Sequence, residues 1–267
     1  MLKNVVACIN QIPDPEAPPE KLRFQPGARQ PEPWTGAFVT GPFDENALEL
    51  ALQSRERGLA GKVYALSLGE KRAVSALRKA YAVQADQAVC VQHDPAGLDS
   101  SGVAKILAAA ICKVGDVELV LCGRQGGDWD DAQVGLLLAE ALGFNLLTLA
   151  KRVESAADEW LSVLRESDGA PQPADVRLPA VLTVTNDPAN QLRVPKVRDI
   201  MMAERKPITT YTLADLGFTE PPRPVVEIRG LESPAGRSGR AELLAGASVA
   251  ERAAALADRL VRLSGRG

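Results

Sequence analysis

The sequence is poor in the residues that most active sites use. Its 267 residues include one histidine, so a Ser–His or Cys–His nucleophile pair would need His93, which lies in a turn-like QHDPAG segment. No His/Cys cluster, HExxH or EF-hand pattern is present, and we expect no metal site. The four cysteines lie in apolar runs without CxxC spacing, which favours buried, reduced thiols at Cys8, Cys90, Cys112 and Cys122.

Net charge and long apolar runs are also scarce. With 31 Lys and Arg against 34 Asp and Glu, the net charge is -3, which gives no broad positive field for a nucleic acid. No apolar run approaches the roughly 18 residues that span a bilayer. The first residues lack the apolar region of a signal peptide. We therefore expect no nucleic-acid partner, no direct membrane insertion and a cytoplasmic location.

What the sequence does contain is a regular alternation of strand-like and helical periods, with 46% hydrophobic residues. This alternation predicts an α/β fold with an open, mostly parallel Rossmann-like sheet, in the order 3-2-1-4-5 of adenine-nucleotide hydrolases. The predicted strands cover residues 4–9, 62–68, 87–92 and 117–122, and the predicted helices cover residues 44–58, 70–84, 99–114 and 130–143.

Proline and turn residues mark the departures from this pattern. Residues 13–42 hold eight of the nineteen prolines, which predicts an ordered excursion or surface hairpin rather than a helix. We expect a nucleotide-binding α/β domain at 1–217 and a C-terminal linker and helical arm at 218–267. A lone helix at 249–263 needs another surface to cover its apolar side, either its own domain or another chain. Three extended stretches predict β-rich additions, at 146–153, 159–166 and 175–185.

Residues 123–135, between the fourth strand and the fourth helix, form the most distinctive segment. Its adjacent glycines, Gly126 and Gly127, would let a phosphate-bearing ligand approach the backbone, next to the unpaired N–H groups of a helix N-terminus. The same residues fit a plain helix start, with Asp130 and Gln133 as a capping-box-like pair.

Parallel sheets bind ligands beyond the carboxyl ends of their strands, at the point where the strand order reverses. For the order 3-2-1-4-5 this crevice lies between the first and fourth strands. Asp44 is expected to cap the first helix. Phe43 is either an apolar contact for a base or a core residue that staples the helix start.

Five short segments share an order and spacing that are specific together: VVACINQIPD, GPFDENALELAL, CGRQGGDWDDAQVG, LPAVLTVT and IMMAERKPI. On these segments the chain resembles the β subunit of electron-transfer flavoproteins, up to about residue 217. The resemblance implies a non-enzymatic electron carrier. In this heterodimer a larger α subunit holds the redox FAD and the β subunit holds a structural AMP. The complex takes electrons from flavin dehydrogenases to a membrane quinone reductase or another acceptor.

The resemblance also implies two sets of site residues. The nucleotide contacts fall on Cys8, Gly41, Pro42, Phe43, Asp44, Leu68, Gly123, Arg124, Gln125, Gly126, Gly127, Asp128, Trp129, Asp130, Asp131, Ala132, Gln133 and Val134. The contacts with the dehydrogenase fall on Arg193, Lys196, Val197, Arg198, Met202 and Arg205, where Val197 stands in place of the usual leucine and Met202 and Arg205 replace lysines.

Several alternatives stay open. The ending Ala-Gln-Val-Gly at 132–135 is similar to that of electron-bifurcating relatives, which bind a second FAD in place of AMP, whereas Trp129 fits neither pattern. The basic residues of 188–206 would by themselves also fit a solvated face. An adenine-nucleotide-hydrolysing enzyme would need a Ser-Gly-Gly-type loop after the first strand, where this chain has NQIPD. A stress-type nucleotide-binding module would not explain the β-rich additions and the arm.

Overall fold

Strand–helix units follow one another along the chain in this computed structural model, which describes residues 2–18, 21–25, 27–28, 31–232, 241 and 243–265. The strands are β1 (Leu2–Cys8), β2 (Gln11–Pro13), β3 (Phe38–Thr40), β4 (Ala60–Gly69), β5 (Gln87–Gln92), β6 (Val117–Gly123), β7 (Asn145–Ala157), β8 (Trp160–Ser167), β9 (Ala170–Arg177), β10 (Ala180–Val184) and β11 (Thr209–Tyr211). The helices are α1 (Pro42–Glu56), α2 (Ala73–Ala82), α3 (Ser100–Val114), α4 (Val134–Leu142), α5 (Val197–Ala203) and α6 (Val249–Leu263).

In the described part of the chain, nine strands form one sheet in the order β11-β5-β4-β1-β6-β10-β7-β8-β9. The strands from β11 to β7 pair in parallel, and β8 and β9 continue the sheet in antiparallel pairs. The central strands are apolar on both faces because helices cover both. Buried residues of α1 and α2 pack on one face, and those of α3 and α4 pack on the other.

The predicted fold class is confirmed, including the order 3-2-1-4 for its first four strands. The fifth place belongs to β10 rather than to the next strand along the chain. The chain first builds β7, β8 and β9 at the far edge and then returns to pair β10 between β6 and β7. The predicted stretch 175–185 is therefore two strands, since β9 ends at Arg177 and β10 begins at Ala180.

Proline-rich segments behave in two ways. The bases of the 13–42 excursion pair as an antiparallel hairpin, β2 with β3, as expected; its residues 19–20, 26 and 29–30 lie outside the described residues. The turn expected in the sequence SDGAPQP lies at Asp168 and Gly169, between β8 and β9, whereas Pro171 and Pro173 lie inside β9. This strand is the edge of the sheet, where proline is tolerated because an N–H that points away from the sheet makes no ladder hydrogen bond.

The predicted starts of two helices were also wrong. Helix α2 begins at Ala73 rather than at residue 70. Helix α4 begins at Val134 rather than at 130, because Asp130 and Ala132 have φ values of 53° and 55°, which no helix includes. One thiol prediction fails as well, since Cys112 on α3 is exposed while the other three are buried.

Candidate functional site

The carboxyl ends of β1 and β6 lie side by side in the middle of the sheet. Ala7 pairs with Leu121, so that Cys8 and Cys122 follow as neighbours. The chain leaves β1 toward α1 on one face and leaves β6 toward α4 on the other. Connections that diverge in this way open a crevice beyond the strand ends. Leu68, near the end of β4, flanks the crevice on the β1 side.

Asp44 ties the two walls of this crevice together. Its carboxylate accepts a hydrogen bond from the Asn10 backbone N–H at 2.9 Å and another from the Gly123 backbone N–H at 3.1 Å. The prediction that Asp44 caps the first helix was wrong, because the N-cap is Gly41 and Asp44 lies in the first turn. Its side chain thus joins the end of β6 to the residues that follow β1.

The pKa of Asp44 is raised to about 7, mainly because burial removes water from the charged carboxylate. The two backbone N–H donors act in the opposite direction, and the negative charges of Asp128 and Glu45 raise the pKa further. A carboxyl group that holds its proton near neutral pH lowers the negative charge of the crevice.

We expect the contribution of Asp44 to the free energy of unfolding to fall as pH rises from 3.8 to about 7, because the folded protein keeps a proton at Asp44 that the unfolded chain releases. This stabilisation is complete below the unfolded pKa and is lost as pH rises through the folded one. Urea unfolding of the wild type and of Asp44→Asn at a series of pH values measures it. The free energy of unfolding of the wild type, minus that of the variant, should fall over this pH range, and a constant difference would contradict the raised pKa of Asp44.

The floor of the crevice is formed by two buried thiols. The pKa of Cys122 is raised well above its usual value, first by a hydrogen bond with Cys8 and then by burial. The Cys122 side chain is therefore a neutral thiol at neutral pH and not a thiolate nucleophile. Cys8 beside it is a small, buried side chain. This environment suits a flat, uncharged group such as a base.

The loop between β6 and α4 begins with Arg124, which reaches across to α1. Its guanidinium lies 4.6 Å from the centre of the Phe43 ring, and it donates to the Thr185 hydroxyl at 3.2 Å. Its buried Nε has no hydrogen-bond partner among the described residues. Arg124 thus covers one side of the half-buried Phe43 ring, and both predicted roles of Phe43 stay predictions.

Three exposed acidic residues of the loop are held by neighbours. Asp128 accepts from the Trp129 backbone N–H at 2.9 Å, and Asp130 accepts from the Gln125 side-chain amide at 2.7 Å. Asp131 accepts from the hydroxyl of Ser100 at the start of α3. The predicted capping of the fourth helix by Asp130 was wrong, because the N-cap of α4 is Gln133 and Asp130, with its positive φ, lies in the loop before it.

Neither helix that faces the crevice is capped by a side chain. The N-cap of α4 is Gln133, and the N-cap of α1 is Gly41; neither makes a side-chain capping hydrogen bond. The first N–H groups of a helix need an acceptor, and their partial positive charge favours an anion. The crevice therefore combines an apolar floor with N–H donors at its rim, which is the arrangement that a nucleotide needs.

The paired glycines serve the packing of the loop. A side chain at Gly127 would come within 2.7 Å of Ile12 and 3.4 Å of Pro42, whereas one at Gly126 would meet only the flexible carboxylate of Asp128. Neither glycine has a positive φ. Gly127 thus lets the loop approach the hairpin that follows β1. The same lack of a side chain would let a ligand approach the backbone.

Comparison with known proteins identifies the family of the chain. A sequence model of the electron transfer flavoprotein domain matches residues 37–216. The chain is 32% identical over 223 residues to the electron transfer flavoprotein subunit beta of Mycobacterium tuberculosis, covering 81% of each chain. The chain belongs to the electron transfer flavoprotein β-subunit family. The resemblance of the five segments is therefore confirmed.

Other relatives of the family extend the comparison. The electron transfer flavoprotein subunit beta of Bradyrhizobium diazoefficiens is 35% identical over 199 residues, which cover 73% of this chain and 76% of the relative. Protein FixA of the same organism is 32% identical over 222 residues, which cover 80% of this chain and 75% of the relative. The matched domain begins after β2, includes α1 and the loop between β6 and α4, and ends before the C-terminal helix α6.

Residues 194–202, here called the docking segment, form the second candidate site of this family member. Its apolar side chains are exposed: Val194 is 91% exposed and Val197 is 75% exposed, and Ile200, Met201 and Met202 are also exposed. Lys196 and Arg198 lie among them and Arg205 follows, and all three are exposed. The surface is therefore an apolar patch with basic neighbours and not only the basic face that the local sequence indicates.

The Arg193 side chain does not belong to this exposed surface. Its guanidinium faces α1, where it pairs with the carboxylates of Glu49 and Glu56. Of the predicted contact residues, Lys196, Val197, Arg198, Met202 and Arg205 are together on α5 and its ends. Arg193 is an attachment point for this segment.

The C-terminal part of this family member is tied to the α/β part of the chain before it ends in a helix. The carboxylate of Asp99, which caps α3, also accepts from the backbone N–H groups of Val225 and Val226. Further along, Leu231 exchanges backbone hydrogen bonds with residues 27–28. The SPAGRSGR part of the predicted linker, 233–240, lies outside the described residues.

Helix α6 has the predicted bounds and is capped by Ser248, but none of its residues is buried. Its larger apolar side chains recur at helical spacing and are exposed: Val249, Leu256, Leu260 and Leu263. None of the described helices is long and apolar enough to cross a membrane. The described residues contain no group of three or more His, Cys, Asp or Glu placed to hold a metal ion.

Several residues that shape these sites were missed in the sequence. Asn10 contributes only a backbone N–H to the crevice, and Ser100 holds the loop from a distant helix. Glu49 and Glu56 look like ordinary helix carboxylates until the fold brings Arg193 to them. Val194 and Met201 carried a signal, because apolar residues between prolines and charges are typical of an exposed contact surface.

Proposed function

We propose that this chain is the β subunit of a heterodimeric electron transfer flavoprotein and that its crevice binds AMP. The name of its relatives, subunit beta, supports an α subunit as partner. FAD, held mainly by the α subunit, supplies the electron-carrying chemistry, and AMP has a structural role. The complex carries electrons from flavin dehydrogenases to a membrane quinone reductase or another acceptor, in the cytoplasm and without being an enzyme itself.

The observation that carries the AMP assignment is the pair of helix N-termini, α1 and α4, that face the crevice without side-chain caps. A phosphate group is an acceptor of the right charge for these N–H donors. Asp130 and Asp131 hydrogen-bond to Gln125 and Ser100 instead, and Asp44 is neutral below about pH 7. The crevice therefore suits a bound anion in spite of its acidic sequence.

The floor and walls fit the rest of a nucleotide. Cys8 and Cys122 offer a flat apolar surface at the strand ends, and Leu68 closes it on the β4 side. Gln133 is exposed beside the first N–H groups of α4 and is the side chain we expect to contact the phosphate. Trp129 is 55% exposed at the rim, where its ring is available to a ligand.

A second FAD at the same position is the alternative ligand. Its adenosine part would occupy the crevice as AMP does, and the Ala-Gln-Val-Gly ending of the loop, 132–135, supports it. The hydrolase alternative is weaker, because residues 11–13 pair as strand β2 and do not form a phosphate loop after β1. A stress-type nucleotide-binding module has no use for the docking segment or for β7, β8 and β9.

The docking segment and α6 support two partner surfaces. The segment presents Val197 and Met202 with Arg198 and Arg205 beside them, which suits a dehydrogenase that is attracted by charge and then held by apolar contact. Residues 218–267 would serve as the arm that binds the α subunit. The exposed stripe of Leu256, Leu260 and Leu263 on α6 needs such a cover.

Identification of the nucleotides released from the purified heterodimer tests the proposal. We expect one AMP and one FAD after denaturation and chromatography. Two FAD molecules and no AMP would replace AMP by the alternative ligand. One FAD and no second nucleotide in an active complex would refute the crevice as a nucleotide site.

The variant Gln133→Glu gives this experiment a sharp control. A carboxylate at the N-cap of α4 stabilises an empty helix end, because it accepts from the free N–H groups and favours the dipole. The same carboxylate repels a phosphate. The variant should therefore lose AMP while the chain without nucleotide keeps or gains stability, whereas a merely unfolded variant would lose both.

A further inference from the structure

Both ends of the docking segment are attached to the helices on one face of the sheet. At its C-terminal end, Arg78 of α2 donates to the Ala203 carbonyl at 2.7 Å and also to the Lys206 carbonyl, and the Tyr81 hydroxyl donates to the Pro207 carbonyl at 2.6 Å. Ala203 is also the buried residue of α5. This end is held by backbone contacts and burial.

The N-terminal end is held by ionic contacts with α1. The Arg193 side chain donates to Glu49 through Nη2 at 2.8 Å and through Nε at 3.0 Å, and its backbone N–H donates to the same carboxylate at 3.2 Å. Glu56, two turns further along α1, accepts from both terminal nitrogens of Arg193. Every charged nitrogen of Arg193 is therefore engaged by α1.

Burial distinguishes the two carboxylates. The Glu49 side chain is 6% exposed, whereas that of Glu56 is 50% exposed. A hydrogen bond from Arg193 keeps the pKa of Glu56 below its usual value. A buried carboxylate without its cation is strongly unfavourable, so Glu49 fixes the position of Arg193 and Glu56 adds a weaker, solvated contact.

Between these attachments the docking segment has no core of its own. Val194 and Val197 point away from the protein, and their exposed side chains cannot define where the segment lies. Its position therefore depends on the two ends. The C-terminal end continues into the structure at Ala203. The N-terminal end is held by Arg193 and, just before it, by the packing of Leu192 on the core and by the contact of Gln53 with the Ala189 carbonyl.

We propose that Glu49, acting through Arg193, is a positioning residue that holds the docking segment ready for its partner. This inference rests on the proposed docking function. A segment that is already ordered loses less conformational entropy when the partner binds, which favours association. Glu49 itself touches no partner, because it lies beneath the segment on α1.

The variant Glu49→Gln in the complete heterodimer tests this role. We expect amide hydrogen exchange to become about tenfold faster at residues 192–198 and to stay unchanged at residues 203–207. With a flavin dehydrogenase chosen because it reduces the wild-type complex, KM for the complex should rise about tenfold while kcat changes little. Reduction by dithionite and the nucleotide content should match those of the wild type.

Two further variants separate positioning from charge. Arg193→Lys keeps the positive charge but cannot form the forked contact with Glu49, so it should reproduce the higher KM. A wild-type KM in this variant would show that Arg193 acts only by its charge and would overturn the proposal. Glu56→Gln should have the same effect in weaker form, and it remains a test if Glu49→Gln does not fold.

The outcome for Glu49 can be told apart from the outcome for the docking function. If Val197→Asp and Glu49→Gln both leave KM unchanged, the segment does not dock the dehydrogenase and both proposals fail. If Val197→Asp raises KM and Glu49→Gln changes neither KM nor exchange at 192–198, only the positioning role fails. Faster exchange throughout the chain in Glu49→Gln would assign Glu49 to general stability and overturn its specific role.

Discussion

Val197→Asp should slow reduction of the heterodimer by its dehydrogenase by a factor of ten or more. The side chain is 75% exposed at the start of α5, and burying a valine against a partner contributes roughly 1.5–3 kcal/mol, where 1.4 kcal/mol corresponds to tenfold. A buried carboxylate would add its own desolvation cost. Stopped-flow reduction at several concentrations of the complex measures the effect.

The controls for this variant use the same position and its charged neighbours. Val197→Leu keeps an apolar contact and should retain the rate. Arg198→Glu with Arg205→Glu should slow association at low salt and flatten its salt dependence, because charge acts mainly on encounter. Val197→Asp should be slow at every ionic strength, and its thermal stability should be that of the wild type. Unchanged reduction rates would show that the dehydrogenase does not use this segment.

The location of the crevice could be predicted because it follows from strand order alone. Parallel strands end at one edge of a sheet, and the chain must diverge where one connection goes to each face. The predicted ends of β1 and β6 therefore located the crevice, and the loop 123–135 located its rim. No side-chain detail was needed for this step.

The details of the rim could not be predicted because distant residues decide them. Asp130 and Gln133 have the spacing of a capping pair, but Gln125 binds Asp130 and Ser100 binds Asp131, which draws the loop out before α4 begins. Asp44 stands at a typical capping position. Its carboxylate accepts instead from the backbone N–H groups of Asn10, which follows β1, and of Gly123, which ends β6.

The charge of the docking segment was overestimated for a similar reason. Arg193 looks like one more exposed basic residue in its local sequence. Its partners Glu49 and Glu56 lie 144 and 137 positions away in the chain, and only the packing of α1 beside β10 brings them together. A pattern of nearby charges cannot distinguish a solvated residue from one that pairs across the fold.

The second large effect is expected for Gly123→Ala, which should destabilise the chain by roughly 1–3 kcal/mol, as overpacking does. Gly123 ends β6 directly beneath the start of α1. An added methyl group would lie 2.9 Å from Cβ of Phe43, 3.0 Å from the backbone nitrogen of Asp44 and 2.5 Å from the Asp44 carboxylate. The Asp44 nitrogen belongs to the backbone of α1, and the Phe43 Cβ is bonded directly to that backbone. The helix must therefore move.

That movement should also empty the crevice. The Gly123 N–H donates to Asp44 at 3.1 Å, and this bond holds the start of α1 against the end of β6. If α1 is displaced, the N-termini of α1 and α4 no longer face one phosphate together. Purified heterodimer carrying Gly123→Ala should therefore contain less AMP than the wild type, in addition to unfolding at lower denaturant concentration.

Gly126→Ala is the matched control, because it adds the same methyl group in the same loop. Its nearest neighbour is the flexible carboxylate of Asp128 at 2.5 Å, and the next atom is 3.7 Å away. Neither glycine has a positive φ, so backbone strain is equal in the two variants. We expect Gly126→Ala to keep its nucleotide and its stability after Asp128 rotates. Equal behaviour of the two variants would mean that the close approach of β6 to α1 does not build the crevice.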